Sequence, residues 1–231
     1  MAGVHATTYI YMKHKQKIGI YGAGGFGREV AWLLSHLPED KSYEVIGYID
    51  DGDGQDGSTL NGKPVMNLQR FQEQYPSALI TISVGDPRTR EKMAQKCLQH
   101  GFTFATLSDS SVRQSEFNTL GDGAIVCCGS ILTVDIHVGQ HAHINIDCTI
   151  GHDVVIGDYV TISPGAHVAG NVHIGRGAYI GTGANIINGI PGKPLVIGDY
   201  SVIGAGACVT RDTEANCLYA GVPAALRKRY A

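Results

Sequence analysis

No stretch of this 231-residue chain approaches the ~20 consecutive apolar residues that cross a bilayer. Basic residues are not in surplus either. The formal net charge is −3, which gives no global field for nucleic acid or a membrane surface. The six cysteines (Cys97, Cys127, Cys128, Cys148, Cys208, Cys217) lack metal-type or redox-type spacing, and Cys127 and Cys128 are adjacent. Cys148 and Cys208 fall where the repeat described below is expected to turn inward, and a small apolar thiol suits such a place. The N-terminus shows no signal-peptide core. Reduced thiols and a cytoplasmic location are therefore expected. Residues 1–16 are polar and patternless, Met12 could equally be the start, and no function attaches to the segment.

What the chain does have is a period. An aliphatic residue recurs every sixth position through Leu120, Val126, Leu132, Val138, Ile144, Ile150, Ile156, Ile162, Val168, Ile174, Ile180 and Ile186. The series resumes at Ile197, Ile203 and Val209. Neither a helix nor an alternating strand has that period; a hexapeptide-repeat parallel β-helix does. Each hexad supplies one short strand and one turn. Three hexads close a triangular coil, so residues 18 apart stack, roughly 4.8 Å from coil to coil. The residue two before each aliphatic (Ala142, Cys148, Val154, Val160, Ala166, Val172, Ala178, Ala184) is small or apolar and lines the same core. Glycines that follow the aliphatics, such as Gly139 and Gly151, suit tight corners because they have no Cβ. The interruption at 188–194 is rich in Gly and Pro and reads as a loop at one corner, carrying function or simply tolerated.

Upstream, Lys17–Tyr21 reads as a buried strand, followed by Gly22-Ala23-Gly24-Gly25-Phe26-Gly27 and a helical pattern from Arg28 to Leu37. A glycine-rich turn between strand and helix places amides at a helix N-terminus, where an anion is favoured. A second strand, Tyr43–Ile49, ends in Asp50-Asp51. A third, Ala78–Val84, ends in Gly85-Asp86-Pro87, which caps a helix through Leu98. A fourth is expected over Phe102–Leu107. This βαβ pattern predicts a Rossmann-like half-domain over residues 17–108, ahead of the β-helix at 109–231. Ligands bind such sheets at the C-terminal strand ends, where Gly24, Asp50 and Gly85 fall. Only about half a dinucleotide fold precedes the solenoid, so a mononucleotide or a sugar carrying one fits better than NAD.

Six histidines lie between residues 137 and 173. His143, His167 and His173 occupy outward slots, and no three ligands converge, so no metal is expected; these residues read as surface or subunit-interface groups. His152 differs, because it sits on a turn beside Asp153, a carboxylate able to orient the ring. A neutral imidazole is a natural general base near pH 7.

From Lys17 to Tyr230 the chain resembles the sugar O/N-acyltransferase family, which includes sialic acid O-acetyltransferases and PglD-type bacterial nucleotide-sugar N-acetyltransferases. The resemblance rests on Ile20–Gly27, Ile49-Asp50-Asp51, Val84-Gly85-Asp86, Asn145, Ile150-Gly151-His152-Asp153, Ala169-Gly170-Asn171-Val172 and Gly221-Val222-Pro223-Ala224, in that order. It implies a homotrimer of left-handed β-helices, with acetyl-CoA in the groove between neighbouring solenoids. The nucleotide is then held by the front domain, and the sugar reaches the interface. His152 matches the family's general base, with Asp153 in the place of an acidic neighbour. Asn145 matches a sugar contact. Gly24, Gly25, Phe26, Asp50, Asp51, Gly85 and Arg88 match nucleotide contacts. Gly181, Thr182 and Ala205 match acetyl-CoA contacts. Thr161 stands where some relatives place a second histidine near the thioester carbonyl, to which its hydroxyl or amide is expected to donate. The 188–194 loop resembles that of the perosamine-type branch. Arg227-Lys228-Arg229 either meets the CoA 3′-phosphate or is a solvated basic tail.

The expected activity is transfer of acetyl from acetyl-CoA to the 4-amino group of a UDP-, GDP- or dTDP-linked amino-dideoxysugar in surface-glycan synthesis, with no redox cofactor. The alternatives are an O-acetyltransferase on sialic acid or a related sugar, and a non-catalytic trimeric nucleotide-sugar sensor.

Overall fold

A computed structural model describes residues 15–230; Met12 and the segment around it lie outside the described residues. The front domain runs β1 (Gln16–Tyr21), α1 (Gly25–Ser35), β2 (Tyr43–Ile49), β3 (Thr59–Leu60), β4 (Lys63–Met66), α2 (Leu68–Gln74), β5 (Leu79–Ile82) and α3 (Pro87–Gln99). The sheet order is β3-β4-β2-β1-β5, parallel except for the β3–β4 hairpin. Asp86 caps α3 by accepting from the Thr89 amide at 2.8 Å, with Pro87 in the first turn. The expected fourth strand does not form. Phe104 makes a single parallel bridge to Ile80. Leu107–Ser108 pair instead with Ile125–Val126 of the solenoid. The segment therefore hands the chain on to the solenoid after one bridge to the front sheet.

The remainder is a left-handed parallel β-helix with three sheets, its strands mostly two residues long. Residues 18 apart pair, as Ile131 with Thr149 and His143 with Thr161. The hexad aliphatics from Val126 onward are at most 4% exposed, and Ala142, Val154, Val160 and Ala184 fill the same interior. Cys148 is buried there, whereas Cys208 takes the outward slot beside inward Val209. The insertion at 188–194 widens one corner, after which Val172–Ile174 pairs with Leu195–Ile197.

The corner glycines are required for a more specific reason than turning. Gly139 and Gly151 do not adopt positive φ. A Cβ at Gly151 would stand 2.6 Å from the Gly170 amide of the next coil, and one at Gly139 2.5 Å from that of Asp158. The left-handed positions come three residues after each aliphatic and are held by Asp135, Asp147, Asp153 and Asn171 among others. Asp and Asn tolerate that conformation better than most residues.

The front sheet is covered by α1 on one face and by α2 and α3 on the other. Both apolar clusters continue onto the solenoid, one through Ile125 and Cys127, the other through Tyr159. The two units thus share a core. One face of the prism is sealed, while the other two remain open.

Candidate active site

The glycine-rich turn is fixed by close packing. A Cβ at Gly27 would meet the Gly22 carbonyl at 2.1 Å. Gly24 caps α1 without a side-chain hydrogen bond, so the first amides of the helix keep their donors. The Ala23 amide is already taken, donating to Asp50 Oδ2 at 3.2 Å, while Asp50 Oδ1 accepts from Gly52. Asp51 accepts from the Tyr21 hydroxyl, from the Leu68 amide at 3.0 Å and from Lys96 Nζ at 2.7 Å. Burial opposes ionisation of Asp51. The Leu68 amide, Lys96 and Tyr21 outweigh it and hold the carboxyl below its ordinary range. Burial and Asp51 together push the Tyr21 phenol far up. Asp51 therefore ties β1, α2 and α3 together. Beside these groups is a cavity of about 290 Å³ lined by Gly22, Asp50, Asp51, Gly52, Val84 and Met93. Its size and carboxylates suit a base and ribose better than a pyrophosphate.

A second cleft, about 220 Å³, opens between the front domain and the solenoid. Phe26 and Gly85 line it from one side, and His143, Asn145, Thr161 and Thr182 from the other. Among the described residues Glu29 is the only charged side chain on its wall. Asn145 Nδ2 donates to the Ile162 carbonyl at 2.8 Å, which leaves Oδ1 and the second N–H for a ligand. Gly181, Thr182 and Ala205 belong to one corner stack beside the cleft; Thr182 and Ala205 are exposed and Gly181 is buried.

Thr161 does not have the freedom expected of it. It is 2% exposed. Its hydroxyl donates to the Gly85 carbonyl at 2.7 Å and its amide to the Ala178 carbonyl at 2.9 Å, so both donors are committed. What holds this seam is Arg90, a residue that sequence reasoning missed. The Arg90 side chain is fully buried and donates to the carbonyls of Val84, Gly85, His141, Tyr159 and Val160 and to Thr161 Oγ1, at 2.6–3.1 Å. Among the described residues no carboxylate bonds to it. Burial pulls its pKa down to about 9, which still leaves it a cation at neutral pH.

His143, expected at a surface or interface between subunits, is 1% exposed beneath the front domain, with the Phe26 ring 5.2 Å away. Arg88 is drawn away from both cavities: its Nη2 donates to Asn216 Oδ1 at 2.8 Å, and its guanidinium lies 4.1 Å above the Tyr200 ring. The basic tail forms the strand Ala225–Arg229, antiparallel to Cys217–Ala220, with Arg229 paired to Glu214. Among the described residues no group of three His, Cys, Asp or Glu is placed to hold a metal ion, and no helix is long and apolar enough to cross a membrane.

His152 and Asp153 stand elsewhere, on the corner that follows Thr149–Ile150. His152 Nδ1 lies 2.7 Å from Asp153 Oδ2, and both side chains are 57% exposed. Asp153 sits at φ 57°, which swings its carboxylate back alongside the ring. The imidazole lies over Gly170, where a Cβ would come within 2.6 Å of it. The pair is thus a solvent-facing imidazole with a carboxylate placed to orient it. Within one chain an entire flat face, carrying Thr149–Ile150 and His167–Val168, separates it from the cleft.

A nucleotide-type α/β unit sealed onto a hexapeptide β-helix, with an oriented histidine on a corner, defines a hexapeptide-repeat acyltransferase. Residues 17–97 match the PglD N-terminal domain and residues 135–167 the bacterial transferase hexapeptide (six repeats). The chain is 37% identical to WeeI from Acinetobacter baumannii AYE, with 92% of this chain and 100% of that one covered and a TM-score of 0.83. A histidine-to-asparagine mutant of perosamine N-acetyltransferase from Caulobacter crescentus, in complex with CoA and GDP-perosamine, is 28% identical. That match covers 92% and 97% of the two chains, with a TM-score of 0.82. GDP-perosamine N-acetyltransferase of Escherichia coli O157:H7 is 32% identical over 140 residues, which span 58% of this chain and 63% of that protein's length. The chain belongs to the family of PglD-like sugar acetyltransferases.

Proposed function

We propose that the protein transfers the acetyl group of acetyl-CoA to the 4-amino group of a nucleotide-linked amino-dideoxysugar, serving surface-glycan synthesis in the cytoplasm. The observation that carries this reading is the cleft in which Phe26 and Gly85 of the nucleotide-type unit face Asn145 and Thr182 of the repeat unit. The nucleoside occupies the neighbouring cavity at Asp50, and the sugar extends along the cleft. Glu29 puts a negative charge on that wall, which favours an amino sugar over an acidic one. A second support is the likeness to a relative that holds CoA and GDP-perosamine together.

In this reading the acting unit is a homotrimer. Ile131, Ile146, Ile187 and Val196 are exposed apolar side chains on the two open faces and corners, and they suit contact between solenoids. The trimer brings the His152–Asp153 pair of one chain to the sugar held by its neighbour. The neutral amine attacks the thioester carbonyl carbon while His152 accepts the N–H proton. Asp153 steadies the imidazolium. The tetrahedral intermediate expels the CoA sulfur, which His152 reprotonates. Amide and free thiol result, without an acyl-enzyme. With both Thr161 donors committed, and the Gly181 amide held by the Ile203 carbonyl, the oxyanion is stabilised by the amides of Thr182 and Ala205 on the corner stack. Proximity supplies much of the rate.

Thiol release from acetyl-CoA is measured against UDP-, GDP- and dTDP-4-amino-dideoxysugars and free sialic acid. Release with one amino sugar, giving a product stable to mild base, is expected. Release with sialic acid alone would overturn the reading.

A further inference from the structure

His143 has a feature that the proposed mechanism leaves unused. Its side chain is 1% exposed, yet among the described residues neither ring nitrogen has a hydrogen-bond partner. The Ile82 backbone favours the protonated ring weakly, but it does not meet hydrogen-bond geometry with either nitrogen. Buried polar groups are nearly always satisfied, and leaving two atoms of one ring unmade works against the fold. The fold does not demand a histidine here. The same outward row carries Ile125 one coil earlier, buried in the same seam, and Thr161 one coil later, fully bonded. An aliphatic side chain at this place would pack against Phe26 without any polar cost.

The imidazole also lines the 220 Å³ cleft. Asn145, Ser163, Tyr179 and Thr182 stand around the same space, a wall of hydroxyls and an amide suited to sugar hydroxyls. Phe26, half-buried on the glycine-rich turn, covers the ring at a tilt of 49°. Burial, together with Arg90 and His141, keeps the ring neutral, so it offers one donor and one acceptor in place of a charge.

We propose that His143 is a substrate-contacting residue: its ring nitrogens find their missing hydrogen bonds on the hydroxyls of the sugar bound in the cleft. This rests on the nucleotide-sugar reading given above, and it assigns the contact that selects the glycosyl part. The polar atoms left unpaired in the free protein are satisfied on binding, so recognition and relief coincide.

The test compares wild type, His143→Leu and His143→Gln as full chains. For His143→Leu the KM for the amino-sugar nucleotide is expected to rise about tenfold or more, with the KM for acetyl-CoA unchanged and the thermal midpoint equal or higher. His143→Gln, which keeps a donor and an acceptor, should recover part of the loss. A leucine variant with wild-type KM for the sugar nucleotide overturns the proposal. So does one whose midpoint falls while both KM values move together, because that is a packing role. If wild type transfers no acetyl group to any sugar, the acetyltransferase reading fails on its own. Calorimetric affinity for the same sugar nucleotides then decides His143: a leucine variant that binds more weakly supports the contact, and equal affinity, or no binding by either protein, overturns it.

Discussion

Two corners of the same prism repeat one backbone geometry and carry opposite chemistry. On the corner under the front domain, His141 and Tyr159 take the left-handed conformation and stack at 5.2 Å, with Phe104 edge-on and Arg90 collecting their carbonyls. Water is excluded there, and burial drives His141 down to about 4. On the corner that carries His152, Asp153 and Asn171 take the same conformation in solvent. The hexad sets where a side chain points. The neighbouring unit decides whether that side chain titrates, packs or reacts.

The sharpest way to break the comparison is to remove one residue from each corner. His152→Ala should lower kcat by about 10²–10⁴-fold, with the CoA affinity and the thermal midpoint unchanged; steady-state kinetics beside a melting curve check this. Arg90→Met should do the reverse. It strips donors from five carbonyls at once and should cost about 3 kcal/mol in denaturant unfolding, with activity falling mainly through loss of folded protein. A finer cut uses two neighbouring glycines. At Gly151 a new Cβ meets backbone, so Gly151→Ala should destabilise by roughly 2 kcal/mol. At Gly170 the nearest atoms all belong to the exposed His152 ring, so Gly170→Ala should leave the melting curve nearly in place while kcat drops roughly tenfold as that ring is displaced. Equal effects from the two would mean that the ring is not seated on Gly170.

The sealed corner also carries a pH dependence. His141 and His143 are both lowered by burial first, then by Arg90. The unfolded chain therefore binds protons that the native chain refuses. Stability present above the unfolded value near 6.5 is lost as pH falls toward about 4, by up to about 1.4 kcal/mol per pH unit for each histidine. Unfolding midpoints across that window should show the slope, and His141→Asn, which keeps a residue suited to the left-handed corner, should reduce it.

How much of this is legible without coordinates follows from range. The hexad stack, the glycine-rich turn and the Asp86-Pro87 helix start are local, and the inward aliphatics from Val126 to Val209 lie where their spacing puts them. The pairing of His143 with Thr161 is likewise plain from a difference of 18. What is not legible is which face of the prism the front domain covers, because that depends on contacts 50 to 85 residues apart, such as Arg90 with His141 and Arg176 with Glu91. An arginine in a polar helix reads as a solvated cation, and a histidine in an outward slot reads as exposed. Both are buried by docking, not by their own strands. The β3–β4 hairpin was hidden differently: the Asp- and Gly-rich run at 51–58 looks like one long loop, and Lys63–Met66 is too short to show alternation.

The strand Ala225–Arg229 governs how long such a molecule can grow. A pile of identical two-residue rungs has, at its last rung, a row of amides and carbonyls that would accept the first rung of another copy. Here the final segment folds back with reversed polarity on Cys217–Ala220 and lays Arg227, Lys228 and Arg229 along the open edge. A second copy arriving in the parallel sense meets a strand of reversed polarity that carries Arg227 and Lys228, which disfavours end-to-end stacking at that edge.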